Sequence, residues 1–288
     1  MNSSSVNRRI SGAGRHLDRH QITGSMEEQR YLIFDSAAEK YQLMRPGYPE
    51  ELYQEVFSYC PVNEESLVAE IGIGSGQATM PVLKRGCRLV AIEPGSSFAE
   101  ICRHRFKEFS GFSLINCRFE DADLPEKGFD MVYCASAFHW VDEKTGYEKV
   151  YAILKKGGCF VRFANHPLPA ANDLKLAEDI QKLYLDYYYP YVSKKPEYPR
   201  GFTERQSIDL AAKAAEYGFT DIRHHLFKRI RTLRAEQYAW LLGTYSDHLS
   251  LPEKVRREFF MKIEQVIDDH GGLICVHDTI DLELARKP

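Results

Sequence analysis

Three glycines at alternate positions, Gly72, Gly74 and Gly76, follow an apolar run that carries an acid, Leu67-Val68-Ala69-Glu70-Ile71. Glycine at such a turn takes positive φ and lets a ligand approach the main chain. The turn amides and the start of a following helix favour an electron-rich group. A second acid, Glu93, closes the next apolar run, Arg88-Leu89-Val90-Ala91-Ile92. It stands ~20 residues past the glycines, where nucleotide-binding α/β units place the carboxylate that accepts from ribose hydroxyls. Both carboxylate oxygens accept, so one Glu can hold a vicinal diol. The other reading of Glu93 is a surface acid at a strand end. The third glycine of the dinucleotide fingerprint is missing, because Gln77 stands in its place. No Lys-Ser/Thr pair follows the glycines, so the turn is not a phosphate-binding P-loop.

A sheet must position these groups. After the two strands already named, apolar runs predict a third strand over Phe112–Cys117, a fourth over Phe129–Ser136 and a fifth over Cys159–Ala164. Helices are predicted from Pro49 to Tyr59, Met80 to Lys84, Ser97 to Phe109 and Tyr147 to Leu154, the last closed by Gly157-Gly158. From Asn165 the alternation breaks into helices over Asp173–Tyr189, Gln206–Tyr217, Arg234–Tyr245 and Leu251–His270. Two further strands, Ile222–Leu233 and Leu273–Leu284, interrupt them.

The pattern Glu70-x-Gly72-x-Gly74-x-Gly76 resembles motif I of the class I S-adenosylmethionine-dependent methyltransferases. The stretches Phe34-Asp35-x-x-Ala38-x-x-Tyr41 and Arg45-Pro46-x-Tyr48-Pro49 are similar to the N-terminal segment of its type 11, small-molecule family. So are Ala135-Ser136-Ala137-Phe138-His139-Trp140 and Leu154-Lys155-x-Gly157-Gly158. The resemblance implies an α/β fold: a doubly wound, seven-stranded, mostly parallel sheet with the last strand antiparallel and an inserted helical lid. It implies S-adenosyl-L-methionine as cofactor, held by Tyr41, Glu70, Gly72, Gly74, Gly76, Glu93, Phe119, Glu120 and Ala135. Tyr41 and Arg45 would reach the methionine carboxylate, and the Ala135 carbonyl its ammonium. Phe119 and Glu120 would meet adenine. Arg118 departs from the family's acid at that point, which leaves Asp121 as a substitute acceptor. His139 is read either as the catalytic base or as a loop histidine packed on Trp140; His166 and Tyr41 are other base candidates. Trp240, Tyr245 and His248 fall in a segment like the family's Trp-Leu-x-x-Tyr-Ser and would line the acceptor pocket.

The 288 residues suffice for one large domain or two smaller ones. The expected division is a disordered tail over 1–26 and a methyltransferase domain over 27–288. Within it, 34–164 would bind cofactor, 165–218 and 234–271 would form the lid, and 219–233 and 272–286 the final strands. Val6, Ile10, Ala13 and Leu17 also give the tail a transit-peptide reading, interrupted by Gly12 and Gly14. The net charge of -3 does not suggest a nucleic-acid partner, and no apolar stretch reaches membrane-spanning length. Seven scattered cysteines without a C-x-x-C pair argue against a zinc site or a disulfide scaffold and fit a reducing, cytoplasmic setting. No residue pattern predicts a metal or fixes the oligomeric state. The acceptor is expected to be a small molecule. A carboxylate, as in the trans-aconitate type, is the first expectation because it needs no base. A nicotinamide-dependent oxidoreductase and a non-catalytic cofactor-binding module stay open as alternatives.

Overall fold

The computed structural model describes residues 44–288. Tyr41 and the expected tail lie outside the described residues. Helix α1 (Glu50–Tyr59) starts at Pro49, whose fixed φ suits a helix start, and buries Leu52, Tyr53, Val56 and Tyr59. Then come β1 (Leu67–Ile71), α2 (Thr79–Leu83), β2 (Arg88–Ile92), α3 (Ser96–Arg105), β3 (Phe112–Ile115), β4 (Phe129–Ala135) and α4 (Glu143–Ile153). The chain continues through β5 (Leu154–Pro169), α5 (Leu174–Tyr187), α6 (Glu204–Ala212) and β6 (Thr220–Arg234). It ends with α7 (Ala235–Leu242), α8 (Ser246–Leu249), α9 (Glu253–Asp269) and β7 (Leu273–Arg286).

The sheet order is β3-β2-β1-β4-β5-β7-β6. Strands β1 to β5 pair in parallel, and β7 runs antiparallel between β5 and β6. Alternation along each strand feeds two cores. Val68, Leu89, Met131, Tyr133 and Val161 meet α1, α2 and α3 on one face. Ala69, Ile71, Ile92, Val132 and Phe160 meet α4 and Phe219 on the other. The strand order reverses between β1 and β4, which opens a crevice at their carboxyl ends.

β5 differs from its expected span. It begins at Leu154 and runs to Pro169 rather than covering Cys159–Ala164. Gly157 has φ +77° inside an irregular stretch of the β4–β5 register, so the glycine pair is not a helix cap. Pro167 and Pro169 look like breakers, yet β4 pairs with β5 only as far as Phe163. Beyond that point β5 has one neighbour, β7, and an edge strand tolerates proline. The 14 to 16 residues of β5, β6 and β7 therefore outrun the five of β1 and form a projecting ribbon. α5, α7 and α9 pack on that ribbon through Ile180, Tyr238, Leu242, Phe259 and Ile263 against Ile274 and Val276. The helix boundaries predicted here hold to within a few residues, because the apolar spacing survives; α9, for instance, buries Phe259, Ile263 and Ile267 at one-turn intervals.

The turn after β1 is fixed by sterics. Gly72 has φ +67°, and a Cβ there would lie 2.5 Å from the Ala137 Cβ. Gly72→Ala should therefore cost about 2–4 kcal/mol, combining left-handed strain with overpacking. Urea unfolding measures this directly; a loss below about 0.5 kcal/mol would mean the turn relaxes freely.

Candidate functional site

The crevice at the carboxyl ends of β1, β2 and β4 is a cavity whose floor is Ile71, Gly72, Ile73 and Gly74. Gly74 has φ +55°, and its amide donates to Glu93 Oε2 at 2.8 Å. Glu93 Oε1 accepts from the Gly95 amide at 2.9 Å. One buried carboxylate thus ties the β1 turn to the β2 turn. A carboxylate oxygen can accept more than one hydrogen bond, so a ligand donor can join these amides. Gln77, in place of the third fingerprint glycine, also lines the cavity and donates to Ser75 Oγ at 2.6 Å.

Phe119 and Glu120 sit in the single turn Phe119–Asp121 and line the cavity. Arg118 lines it too, and its guanidinium bonds Glu120 Oε1 at 3.1 Å. The departure from the family's acid is therefore an ion pair with the acid two residues on. Asp121 is exposed and does not line the cavity, so it is not placed to replace that acid.

The β4 end contributes Ala135, Ser136, Ala137 and Trp140. Ser136 has φ +54°, a strained region for a residue with a Cβ, and such strain gathers at functional sites. The Ser136 hydroxyl holds the Tyr48 hydroxyl at 2.9 Å and accepts from the Asn165 amide at 3.3 Å. His139 is exposed and does not line the cavity; its ring lies 5.0 Å from that of Trp140. Desolvation on its packed side, and then the Arg45 charge, lower His139 below the ordinary imidazole value. It is neutral at physiological pH but stands off the cavity wall, which favours the loop reading over the base.

Two other residues also leave the wall. Gly76 has φ +81° and packs on Phe106, where a Cβ would meet the ring at 2.6 Å. Glu70 points to the helix face of the sheet, 1% exposed, and accepts from Thr79 Oγ1 at 2.8 Å. Burial pushes its carboxyl up to about 8, although the Tyr133 and Thr79 hydroxyls pull it back in part. Both residues shape the turn from beneath rather than facing a ligand.

The residues of the cavity fit the expected cofactor in one further respect. Asn165 lines it, and its side-chain oxygen is buried with no hydrogen-bond partner among the described residues, while its Nδ2 donates to Asp278 at 3.1 Å. A buried lone acceptor beside an ionised acid suits a cationic amine such as the methionine ammonium. Tyr48, Ser136 and Asn165 did not stand out in the sequence as ligand contacts. The only available signals were the Tyr of Arg-Pro-x-Tyr-Pro and the small residue ending β4.

A second cavity of about 530 Å³ lies under α5 and α7, lined by Tyr184, Tyr189, Tyr198, Tyr238 and Tyr245 with Leu168 and Leu242. Of the three residues expected there, Tyr245 is in the wall. Trp240 is 43% exposed and lines neither cavity, because Tyr238 and Leu242, one turn apart, take the inward side of α7. His248 is buried behind the wall and lines an adjoining cleft. Arg45, in the wall of the first cavity, sets its guanidinium 4.2 Å from the ring centroid of Tyr245, in the wall of the second. His166, the other base candidate, bonds Asp281 at 2.9 Å and stacks on Phe202.

Among the described residues no helix is long and apolar enough to cross a membrane. Residues 69–162 match a family model described as a methyltransferase domain. An uncharacterized methyltransferase of Schizosaccharomyces pombe is 24% identical over 238 residues, 79% of this chain and 84% of that one. A Dictyostelium discoideum protein that carries the name methyltransferase is 27% identical, covering 88% of this chain and 94% of its own. Among solved structures, an Anaeromyxobacter dehalogenans protein that carries the name type II methyltransferase superposes with a TM-score of 0.60 at 18% identity, covering 84% of this chain and 97% of that chain. A Haemonchus contortus phosphoethanolamine N-methyltransferase gives 0.52 at 14%, covering 88% and 57%. Glycine turn, strand order and matched domain agree: residues 69–162 carry a methyltransferase domain on a Rossmann-like sheet, with S-adenosyl-L-methionine as its cofactor.

Proposed function

We propose that this protein transfers the methyl group of S-adenosylmethionine to a small molecule seated in the second cavity, beneath a lid formed by the helices of 165–218 and 234–271. The observation that carries the reading is that the two cavities lie side by side, with only the Arg45–Tyr245 contact between them. β5 supplies Asn165 to the first and Pro167 to Pro169 to the second, and Arg45 and Tyr245 meet at the partition. Glu93 would hold the ribose diol, Phe119 and Trp140 would flank adenine, and Asn165 with the Ala135 carbonyl would receive the ammonium. The cofactor supplies an activated methyl on sulfur, so the chain's own contribution is alignment and water exclusion, a contribution of about 7–11 kcal/mol in well-oriented cases. Tyr-rich, apolar walls suit a small organic acceptor and not a polymer.

The test is incubation with methyl-labelled S-adenosylmethionine and a metabolite extract. Label should appear in a low-molecular-weight product. Tyr245→Ala should lower that labelling at least about tenfold while S-adenosylhomocysteine affinity stays within about threefold. Label confined to protein or nucleic acid would overturn the reading.

A further inference from the structure

We propose that Tyr184, His248 and Asp247 form a proton relay that takes the proton from an aromatic hydroxyl methylated in the second cavity. The inference rests on that cavity being the acceptor site. Tyr184 lines both the second cavity and the open cleft beyond it, so its side chain is the wall between them. Its hydroxyl lies 2.8 Å from His248 Nε2, and His248 Nδ1 lies 2.8 Å from Asp247 Oδ1.

The direction of these bonds follows from the charge on Asp247. Burial alone would raise its carboxyl, but the His248 bonds, the Tyr188 hydroxyl and the Lys194 charge carry it well below the usual carboxylate range. An ionised carboxylate only accepts. Its Oδ1 takes the His248 backbone amide at 2.9 Å together with Nδ1, and its Oδ2 takes Tyr188 at 2.7 Å and Lys194 at 3.2 Å. Nδ1 must therefore carry the proton, and in the neutral imidazole Nε2 is then the acceptor for the Tyr184 O–H. This is the geometry of a hydroxyl, imidazole and carboxylate acting in series, with the tautomer fixed by the acid. The cleft holding His248 also holds Lys194, Lys195 and Glu197 and opens to solvent, which gives the proton an exit.

The step balances. The acceptor oxygen gives its proton to Tyr184 Oη as the Tyr184 proton passes to His248 Nε2, and Asp247 holds the imidazolium. The oxygen's electron pair forms the bond to the methyl carbon while that carbon's bond to sulfur breaks with its pair, leaving a neutral thioether. His248 then releases its proton to the cleft. An aromatic hydroxyl suits the relay because it still carries its proton at neutral pH, and the other tyrosine rings around Leu168 and Leu242 suit a flat ring. A carboxylic acid is already ionised at neutral pH and leaves the relay nothing to do.

The test uses the full chain, methyl-labelled S-adenosylmethionine, and three probes: phenol, 4-nitrophenol and benzoate. Wild type should methylate both phenols. Tyr184→Phe should lose about 100-fold on phenol, which needs a base, and less than about threefold on 4-nitrophenol, which is largely ionised at about pH 8. His248→Gln should repeat the pattern. Equal losses on both phenols, loss on neither, or transfer to benzoate alone would overturn the relay, the last while leaving methyl transfer intact. Calorimetry with S-adenosylhomocysteine separates the two levels. Retained binding in both variants shows that they fold, whereas no binding by wild type would sink the functional reading itself.

Discussion

Glu93→Ala should weaken S-adenosylhomocysteine binding about 100-fold or more, measured by calorimetry. In the free protein the carboxylate accepts from the Gly74 and Gly95 amides, so one side chain shapes the two turns that floor the cavity. Hydrogen bonds to a charged group contribute about 1.5–3 kcal/mol each, and about 1.4 kcal/mol is tenfold in affinity. Alanine removes both amide bonds and the acceptor for the ribose diol together. Glu93→Gln should be nearly as damaging. Its single carbonyl can serve one amide, while its NH₂ would face the other N–H donor to donor. A Gly74→Arg variant gives an independent check, because Gly74 lines the cavity at φ +55° and a long side chain there both strains the turn and fills the space. Thermal unfolding of each variant tells a lost fold from a lost site. If the Glu93 and Gly74 variants, still folded, kept affinity within about threefold, the first cavity would not be the cofactor site.

The legible parts of this protein were those encoded locally. A positive-φ glycine turn leaves a signature in three residues, and Glu93 follows because a strand ending at a crevice brings its next residue to the ligand. The strands and helices themselves followed from local apolar runs, while the doubly wound, seven-stranded sheet was implied by the family resemblance. Long-range consequences were harder to read. That Pro167 and Pro169 belong to a strand depends on where β4 stops, a fact about a neighbour in space. That Trp240 faces outward depends on which side of α7 finds a partner, and Tyr238 and Leu242 find it. Ser136 was hidden because nothing in the residue type announces a left-handed backbone. The link between His248, Tyr184 and Asp247 joins residues 64 positions apart and appears only when α5 packs beside α8.

Glu70 shows most sharply how a motif residue can differ in role from its appearance. In sequence it leads the glycine turn and reads as a cofactor contact. In the fold it lies beneath the turn, buried beside Tyr133 and bonded by Thr79, with a carboxyl pushed up to about 8 by desolvation and, to a lesser extent, by the Glu93 charge. The sign of its effect on stability follows. Between the unfolded value of 4.5 and the folded value, the native state holds a proton that the unfolded state has released. Stability therefore falls as pH rises through that window and levels off above it. A glutamine side chain at this position would keep an oxygen for Thr79 and carry no charge to bury. Glu70→Gln should match wild type near about pH 4.5 and exceed it by about 2–4 kcal/mol at about pH 8, or roughly 5–10 °C in Tm. Urea and thermal unfolding at a series of pH values give the comparison. Its S-adenosylhomocysteine affinity should stay within about threefold of wild type, since the side chain lines no part of the cavity. A stability gain independent of pH would remove the buried-charge account. A large loss of affinity in a stabilised variant would instead mean that the charge beneath the turn acts through the turn's amides on the ligand.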